Sequence, residues 1–474
     1  MTFRLPSTSP FAPSSSLNPS PSGARPSSRR PALRPLAAAM LLMAGVGAVQ
    51  ANQSLFSPGY GLTVGPVFNR NNLNSSGYNP ANALRLVDAE ESVRFGLMQA
   101  GGQYTLGDVD DLQASLDRID AAVTAARSAA SPADAQAQVD IVNGLLPTLD
   151  RGARFSVSGG GSLLTPLLIR SDKLQGVFSL QANVQAQAAG VFYGDTAVLV
   201  GPVGAPTGLS TASAFDVKAA TITQLSLGYS TEVGRWFGHD GANGKLDGGV
   251  RLNSYQAKLY RQLVGFTDAN GNGNSGNFNR DTVDSRSASA VGVDLGLNWQ
   301  AEHWQVGATL YNLGNPRFSY PDPTRDANAA NQYAATTLAT AGRISASDQV
   351  QLKSHLVLEG SVHTANKRWM LQTSYAANET PNFVGDLQKF VTASVSYNAE
   401  RYEGSFGTLL NYIVPSVRLG WRKNTVGDQL ASTGLGLSWG ILNLDVQASQ
   451  AKVNADGSRV PRSAGASLSI AEKF

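Results

Sequence analysis

The sequence predicts an all-β transmembrane barrel of about 14 antiparallel strands, with an N-terminal insert and an inserted α-helical hairpin. Three observations predict it: a last strand that alternates apolar and polar side chains up to Phe474, a secretory leader, and strand-length stretches of period two joined by unequal loops.

In the last strand, Ala464, Ala466, Leu468, Ile470 and Phe474 share one parity, while Ser463, Ser467, Ser469 and Lys473 share the other. In an extended chain these sets face opposite sides. A strand closing an outer-membrane barrel needs a lipid face, a wetter lumen face and an aromatic end read by the barrel-assembly machinery. Leu468, Ile470 and Phe474 are the residues expected to carry that signal. A half-buried soluble sheet ends on the same alternation, so further evidence is needed. Glu472 stands on the lipid-facing parity and is expected at the membrane edge, where a charge costs little.

The leader supplies part of that evidence. Arg29, Arg30 and Arg34 precede an apolar stretch from Leu36 to Val49, and Val49-Gln50-Ala51 offers small residues before Asn52. This is the pattern of a secretory signal over residues 1–51, cleaved near Ala51. The stretch is shorter than the roughly 20 residues a spanning helix needs. The Arg29-Arg30 pair is reminiscent of a twin-arginine signal, but Ala32 sits where that motif prefers Phe, and the general secretory route is expected. The destination implied is the outer membrane of a Gram-negative cell, with outer-membrane lipid as the surrounding partner.

Charge must be recounted without the leader. The chain carries 37 basic and 34 acidic residues, and Arg4, Arg25, Arg29, Arg30 and Arg34 all precede residue 52. The remaining 32 basic residues against 34 acidic give about −2, which offers no case for a nucleic-acid partner. With no cysteine there is no disulfide, thiolate metal site or cysteine nucleophile. Abundant glycine, 49 residues, and only 15% charged residues suit a barrel.

The strands can be taken in turn. Residues 178–188 place Phe178, Leu180, Ala182, Val184, Ala186 and Ala188 on one face, opposite Ser179, Gln181, Asn183, Gln185 and Gln187. Such a run crosses a membrane in one pass. The pattern returns over 291–299, where Val291, Val293, Leu295, Leu297 and Trp299 oppose Gly292, Asp294, Gly296 and Asn298, and again from Trp304 to Leu310. Further strands are expected at 154–169, 218–233, 247–261, 352–363, 368–378, 388–398, 404–414, 416–423, 432–439 and 441–451, which with the terminal strand makes about 14. Trp299 and Trp304 bracket a short turn, and Trp236 and Trp369 also fall at strand ends, as interface aromatics of a girdle do. Tight turns at 300–303 and Asn366-Lys367 are expected to face the periplasm. The long polar loops 262–286 and 314–350 are expected outside.

Ahead of the barrel the periodicity changes. Asp108 or Asp110 is positioned to cap a helix carrying Leu112, Leu116, Ile119, Val123 and Ala126, and Ser131-Pro132 opens a second with Val139, Val142, Leu146 and Leu149. The two apolar stripes predict a helical hairpin, expected near the periplasm, either self-packed or docking a partner. The resulting division is a signal at 1–51, a hatch and first strand at 52–107, the hairpin at 108–150 and the barrel at 151–474.

Asn79-Pro80-Ala81, following Val64 to Arg70, resembles the N-terminal part of the conjugal-transfer TraF-like outer-membrane family, itself similar to the FadL group of hydrophobic-compound channels. The resemblance extends over most of residues 60–474 through Gly249 to Tyr260, Tyr311 to Pro316 and Gly434 to Trp439. It implies that Asn79, Pro80 and Ala81 occupy a hatch inside the barrel. The helical pair is a departure from the FadL channels proper. Proline lacks an N–H and fixes φ, so a chain there leaves the sheet, as a hatch or as a simple turn.

Other motifs carry less. Asp268-Ala-Asn270-Gly-Asn272-Gly273 matches the start of a calcium loop, but Asn279 stands at the twelfth position where a bidentate Glu is needed, so a surface loop is expected and no metal. Ser158-Gly-Gly-Gly-Ser162 lacks the Lys of a phosphate loop and is read as a bend in a strand. His239, His303, His355 and His363 are scattered, and neither a catalytic set nor a cofactor site is evident. Three readings follow: a conduit for a hydrophobic ligand, an envelope component with a partner in plasmid conjugal transfer, and, more weakly, an outer-membrane hydrolase with paired carboxylates at its rim.

Overall fold

In a computed structural model, residues 59–70, 72–164, 166–201, 208–238, 244–274, 283–399 and 415–471 are described. The leader, Phe474 and Glu472 lie outside them, as do the expected strand 404–414 and Asn279.

Fifteen strands form one sheet: β1 (Val93–Leu106), β2 (Arg154–Leu163), β3 (Leu167–Ser171), β4 (Gly176–Tyr193), β5 (Ala214–Glu232), β6 (Lys245–Gly265), β7 (Ser285–Gln300) and β8 (Trp304–Leu313). The ring continues through β9 (His355–His363), β10 (Trp369–Ala376), β11 (Phe390–Tyr397), β12 (Ser416–Asn424), β13 (Ala431–Trp439), β14 (Leu442–Ser449) and β15 (Ser463–Ala471). Each pairs antiparallel with its neighbours, and β1 pairs with β15, so the sheet closes. β2 and β3 both lie between β1 and β4, as two halves of one stave. The ring is therefore a closed barrel of 14 staves. Closure pairs the first strand of the ring with the last, which is why barrels can span a membrane.

The strand at 404–414 is not needed to reach that number. Phe390–Tyr397 pairs directly with Ser416–Asn424, and the ring is completed by β1, the first strand expected within 52–107 and around Ser92–Leu106.

Burial is inside out. Outward positions carry exposed apolar side chains such as Leu227 (55%) and Leu297 (51%), while inward Gln181, Asn183, Gln224, Asn253 and Asn298 are buried. An apolar outer belt around a polar interior is the mark of an outer-membrane barrel, and it sets this chain in that membrane. Leu468 and Ile470 lie on the outer parity of β15, with Leu468 36% exposed. Trp299 and Trp304 stack at 6.4 Å beside the 301–303 turn, and Trp236, Trp369 and Trp439 lie at the same end.

Connections at that end are mostly short, including 172–175, 301–303, 364–368 and 440–441; those at the other are long, including 107–153, 194–213, 266–284 and 314–354. Short turns face the periplasm and long loops the exterior. This corrects the position of the helical hairpin, α1 (Leu112–Arg127) and α2 (Pro132–Leu149), expected near the periplasm. β1 runs from the short-turn end to the long-loop end, so the hairpin joining β1 to β2 lies on the exterior side. There Ile119, Val123, Val139, Val142 and Leu146 share one core with Phe192, Leu209 and Phe215 from the strands and loops. Ser131 caps α2, its side chain accepting from Asp134 N at 3.2 Å. Neither Asp108 nor Asp110 caps α1; Asp111 precedes it in a left-handed conformation, and Asp110 Oδ1 instead accepts from Asn454 N at 2.7 Å. A third helix, α3 (Ala329–Thr340), capped by Asn328, lies within the long polar loop expected at 314–350.

Candidate functional site

The lumen is filled by residues 59–87, a chain of single turns: Gly61–Val64, Leu73–Gly77, Pro80–Asn82 and Ala83–Leu86. Asparagines start two of these turns. Asn72 accepts from Asn74 N at 3.0 Å and Asn79 from Ala81 N at 3.0 Å, with Pro80 pre-set at the first position. Gly61–Val64 leans on β11–β15 and Pro80–Asn82 on β5–β7, halfway round the ring, so the segment crosses the bore as a plug.

The wall holds the plug through buried polar bonds. Glu359 on β9 accepts from Asn79 Nδ2 at 2.8 Å and from Phe68 N at 2.6 Å, and Asn79 also donates to Leu297 O at 3.0 Å. Gln305 Nε2 donates to Phe68 O at 3.2 Å, and Tyr60 OH donates to Gln372 Oε1 at 2.8 Å. Asn298 Nδ2 donates to Asn82 Oδ1 at 2.8 Å, and Asn74 Nδ2 to Gln99 Oε1 at 2.8 Å. Burial pushes the Tyr60 phenol above its ordinary range, so it stays a neutral donor.

Three ion pairs reinforce these bonds. Arg251 pairs with Asp294 directly across β6 and β7 at 2.8 Å, and its Nη1 donates to Gly77 O at 2.7 Å. Arg418 pairs with Asp445 at 3.1 Å, and Asp445 Oδ1 accepts from Thr63 Oγ1 at 2.7 Å. Arg85 of the plug donates to Asp247 Oδ2 at 2.6 Å. Burial pushes the Arg85 guanidinium down, but Asp247 and Glu232 overcome this and hold it above its ordinary value. Hydrogen bonds to buried charges are worth about 1.5–3 kcal/mol each, so the plug is fixed rather than loosely inserted.

Close approach of backbone to wall is the second device. Gly249 and Gly296 are cross-strand partners, and Asn79-Pro80-Ala81 lies directly on them. A Cβ on Gly296 collides with Asn79, and one on Gly249 with Pro80 and Ala81.

The wall itself is interrupted once beside the plug. Between Leu163 and Leu167 the stave made of β2 and β3 breaks, with Leu164 at φ 55°. On the β1 side the seam stays closed, because Leu164 N donates to Leu97 O at 2.8 Å and Gly96 N to Pro166 O at 3.1 Å. On the β4 side, pairing stops at Val184 and resumes at Leu180, so among the described residues Gln181, Ala182 and Asn183 have no ladder partner across the break. Leu163 and Leu164 are exposed to the lipid side, at 67% and 62%. The bend expected within Ser158–Ser162 therefore lies just beyond it, since those residues continue β2.

Just inside the break, Phe68, Leu73, Leu84, Leu86 and Val87 of the plug pack on Leu168 and Val177 of the wall. Phe68, Leu84 and Val87 also line a cavity of about 480 Å³ at the short-turn end, together with Arg170, Trp304 and Met370. A second cavity, about 340 Å³, lies toward the long loops and holds Asp386 and Asp428. Asp428 is bound there by Arg154 and by Arg462 Nη2 at 3.0 Å. The calcium-like loop is satisfied by itself, Asp268 accepting from Asn270 N and Asn272 N at 2.8 Å each.

Of the residues singled out in the sequence, Asn79, Pro80 and Ala81 are fully buried in the plug, Trp299 and Trp304 stand at the rim, and Phe474 lies outside the described residues. Glu359, Asp294, Arg251, Asp445 and Arg418 were missed. For Glu359 and Asp445 the signal was a single charge on the polar parity of an otherwise uncharged strand, whereas Arg251, Asp294 and Arg418 share their strands with other charges and do not stand out.

The family model described as "F plasmid transfer operon, TraF, protein" matches residues 77–375. No curated protein matches the chain in sequence. Among solved structures, the Pseudomonas putida toluene transporter TodX is similar at 12% identity and a TM-score of 0.40, over 90% of this chain and 97% of that one. A Pseudomonas aeruginosa FadL homologue is similar at 13% identity and a TM-score of 0.38, over 87% and 95%.

Proposed function

The chain belongs to the family of the F plasmid transfer operon TraF protein, and from its own geometry we propose that it is an outer-membrane conduit for hydrophobic small molecules, held shut by the plug. The break between β2 and β3 carries this reading. An apolar molecule dissolved in the bilayer loses about 0.8 kcal/mol per CH₂ on moving into water, so a route through the polar upper lumen is unfavourable. A lateral route is not. It leads from exposed Leu163 and Leu164 to the apolar cluster behind the break, and then to the cavity that shares Phe68, Leu84 and Val87 with that cluster. The cluster is packed, so passage requires the plug to shift.

The chain has no cysteine, which makes a lock straightforward to install. Leu164→Cys with Ala182→Cys, bridged by a cleavable bismaleimide, ties the two sides of the break. In liposomes loaded with an apolar dye-binding protein, dye entry is expected to slow several-fold when bridged and recover on cleavage. Unchanged entry in the bridged protein rejects the lateral route. Entry no faster than in empty liposomes rejects the conduit altogether.

A second reading, an envelope component of plasmid transfer, is favoured by the family's description and by the helical cap built from α1 and α2 over the exterior end. A donor strain lacking the gene is then expected to mate less often, with recovery on complementation. Mating at the parental frequency rejects it.

A further inference from the structure

The 480 Å³ cavity at the short-turn end has a chemistry that an apolar cargo does not need. Five cations line it, Arg70, Arg85, Arg170, Lys245 and Lys367, against one acid, Asp88. Arg70 is paired with Asp88, and Arg85 with Asp247 and Glu232. Arg170, Lys245 and Lys367 form no ion pair among the described residues. Two buried donors on the same lining, Arg170 Nε and Gln300 Nε2, have no hydrogen-bond acceptor among the described residues, although Arg170 Nη2 donates to the plug carbonyls of Leu84 and Val87. A buried donor left unpaired costs about 1–3 kcal/mol, and more when it is charged, so two of them beside cations that stand outside any ion pair call for an anion.

The position narrows the anion. Trp304 lines the cavity, is 41% exposed on the outer wall and stacks on Trp299 at the rim. Interface tryptophans lie at the depth of the lipid headgroups, so the cavity mouth is at the level of the phosphates of the periplasmic leaflet. The donors come from separate elements: Arg170 from β3, Lys245 from β6, Gln300 from β7 and Lys367 from the turn after β9. A group approached from that many directions suits the spread oxygens of a phosphate better than the two of a carboxylate. Met370, Leu84 and Val87 give the same cavity an apolar side for the start of an acyl chain.

We propose that this cavity binds the phosphate headgroup of a phospholipid from the periplasmic leaflet, bridging the plug to the barrel wall. The inference needs only the barrel and its membrane position, and it stands whether or not the chain conducts apolar molecules.

The test uses the full chain purified in a non-ionic detergent and titrated with dihexanoyl-phosphatidylglycerol, inorganic phosphate and laurate, followed by Trp fluorescence and native mass spectrometry. One phosphatidylglycerol per chain is expected, bound at least tenfold more tightly than phosphate or laurate. Lys245→Ala with Lys367→Ala should weaken it at least tenfold, because neither side chain ties down the plug, and heat-modified migration on gels checks that the variant is folded. Phosphate binding as tightly as the lipid overturns the lipid assignment, as does laurate binding as tightly. A folded double variant with unchanged affinity overturns the location.

Discussion

Asn79 in the plug donates its side-chain amide to Glu359 Oε1 on the wall at 2.8 Å, joining residues 280 positions apart. Glu359 also accepts from Phe68 N, so one buried carboxylate holds the plug at two points. Glu359→Ala leaves Phe68 N without its acceptor and Asn79 with only its bond to Leu297 O, at a cost of about 1–3 kcal/mol. The barrel should still close, because its strand ladders do not use this side chain. Higher conductance in planar bilayers, with unchanged heat-modified migration on gels, is the expected result; wild-type conductance would count against the latch.

Gly296→Ala attacks the same contact from the other side. The added methyl meets Asn79, and Gly249→Ala meets Pro80 and Ala81, although both positions lie within regular paired strands. Either variant is expected to fold and to expose the plug to protease in proteoliposomes. A plug as protected as in the parent would mean that it has slack at this seat.

Trp304 should anchor the barrel at the interface. Trp304→Ala removes an exposed indole and its stack on Trp299, a loss of about 1 kcal/mol. Urea titration of the barrel folded in vesicles measures it. No change in midpoint would place the ring outside the headgroup layer.

Asp386, in the 377–389 loop near Asp428, has its carboxyl pushed up by burial, against the pull of hydrogen bonds from Ser156 and Asn382. A raised folded value means that this group favours folding most when protonated, below the ordinary carboxylate range of about pH 4, and loses that contribution as pH rises through the folded value. Asp386→Asn should therefore gain stability relative to the parent as pH rises from 4 to 7. A difference that stays constant over that range would contradict the assignment.

The barrel was legible because alternation with period two repeats at nearly every stave; the expected 218–233 and 416–423 became Ala214–Glu232 and Ser416–Asn424. β1 was expected around Ser92–Leu106 through the family resemblance and not from alternation, since Gly96, Gly101 and Gly102 leave few side chains to show a face. The helices were visible from their stripes, but which end of the barrel they occupy depends on counting strands from the first, and that count was uncertain. The plug showed only as Asn-Pro-Ala. Its anchors could not be matched to it, because Glu359 and Asp445 reach it across hundreds of residues that carry no local pattern. The break in the wall falls between Gly161 and Leu167, where its effect depends on what lies opposite on β4.

Only Asp88 to Ser92 separate the end of the plug from the first strand of the wall. Drawn out fully, that leash spans roughly 20 Å from Val87 to Val93. However far the front of the plug swings, its tail stays near the periplasmic mouth, tethered to the wall it seals. In the conduit proposed above, opening by this route would be a hinged movement with one end held at the wall. A cell using such a door can admit one class of molecule without exposing its periplasm to everything small enough to enter an open bore.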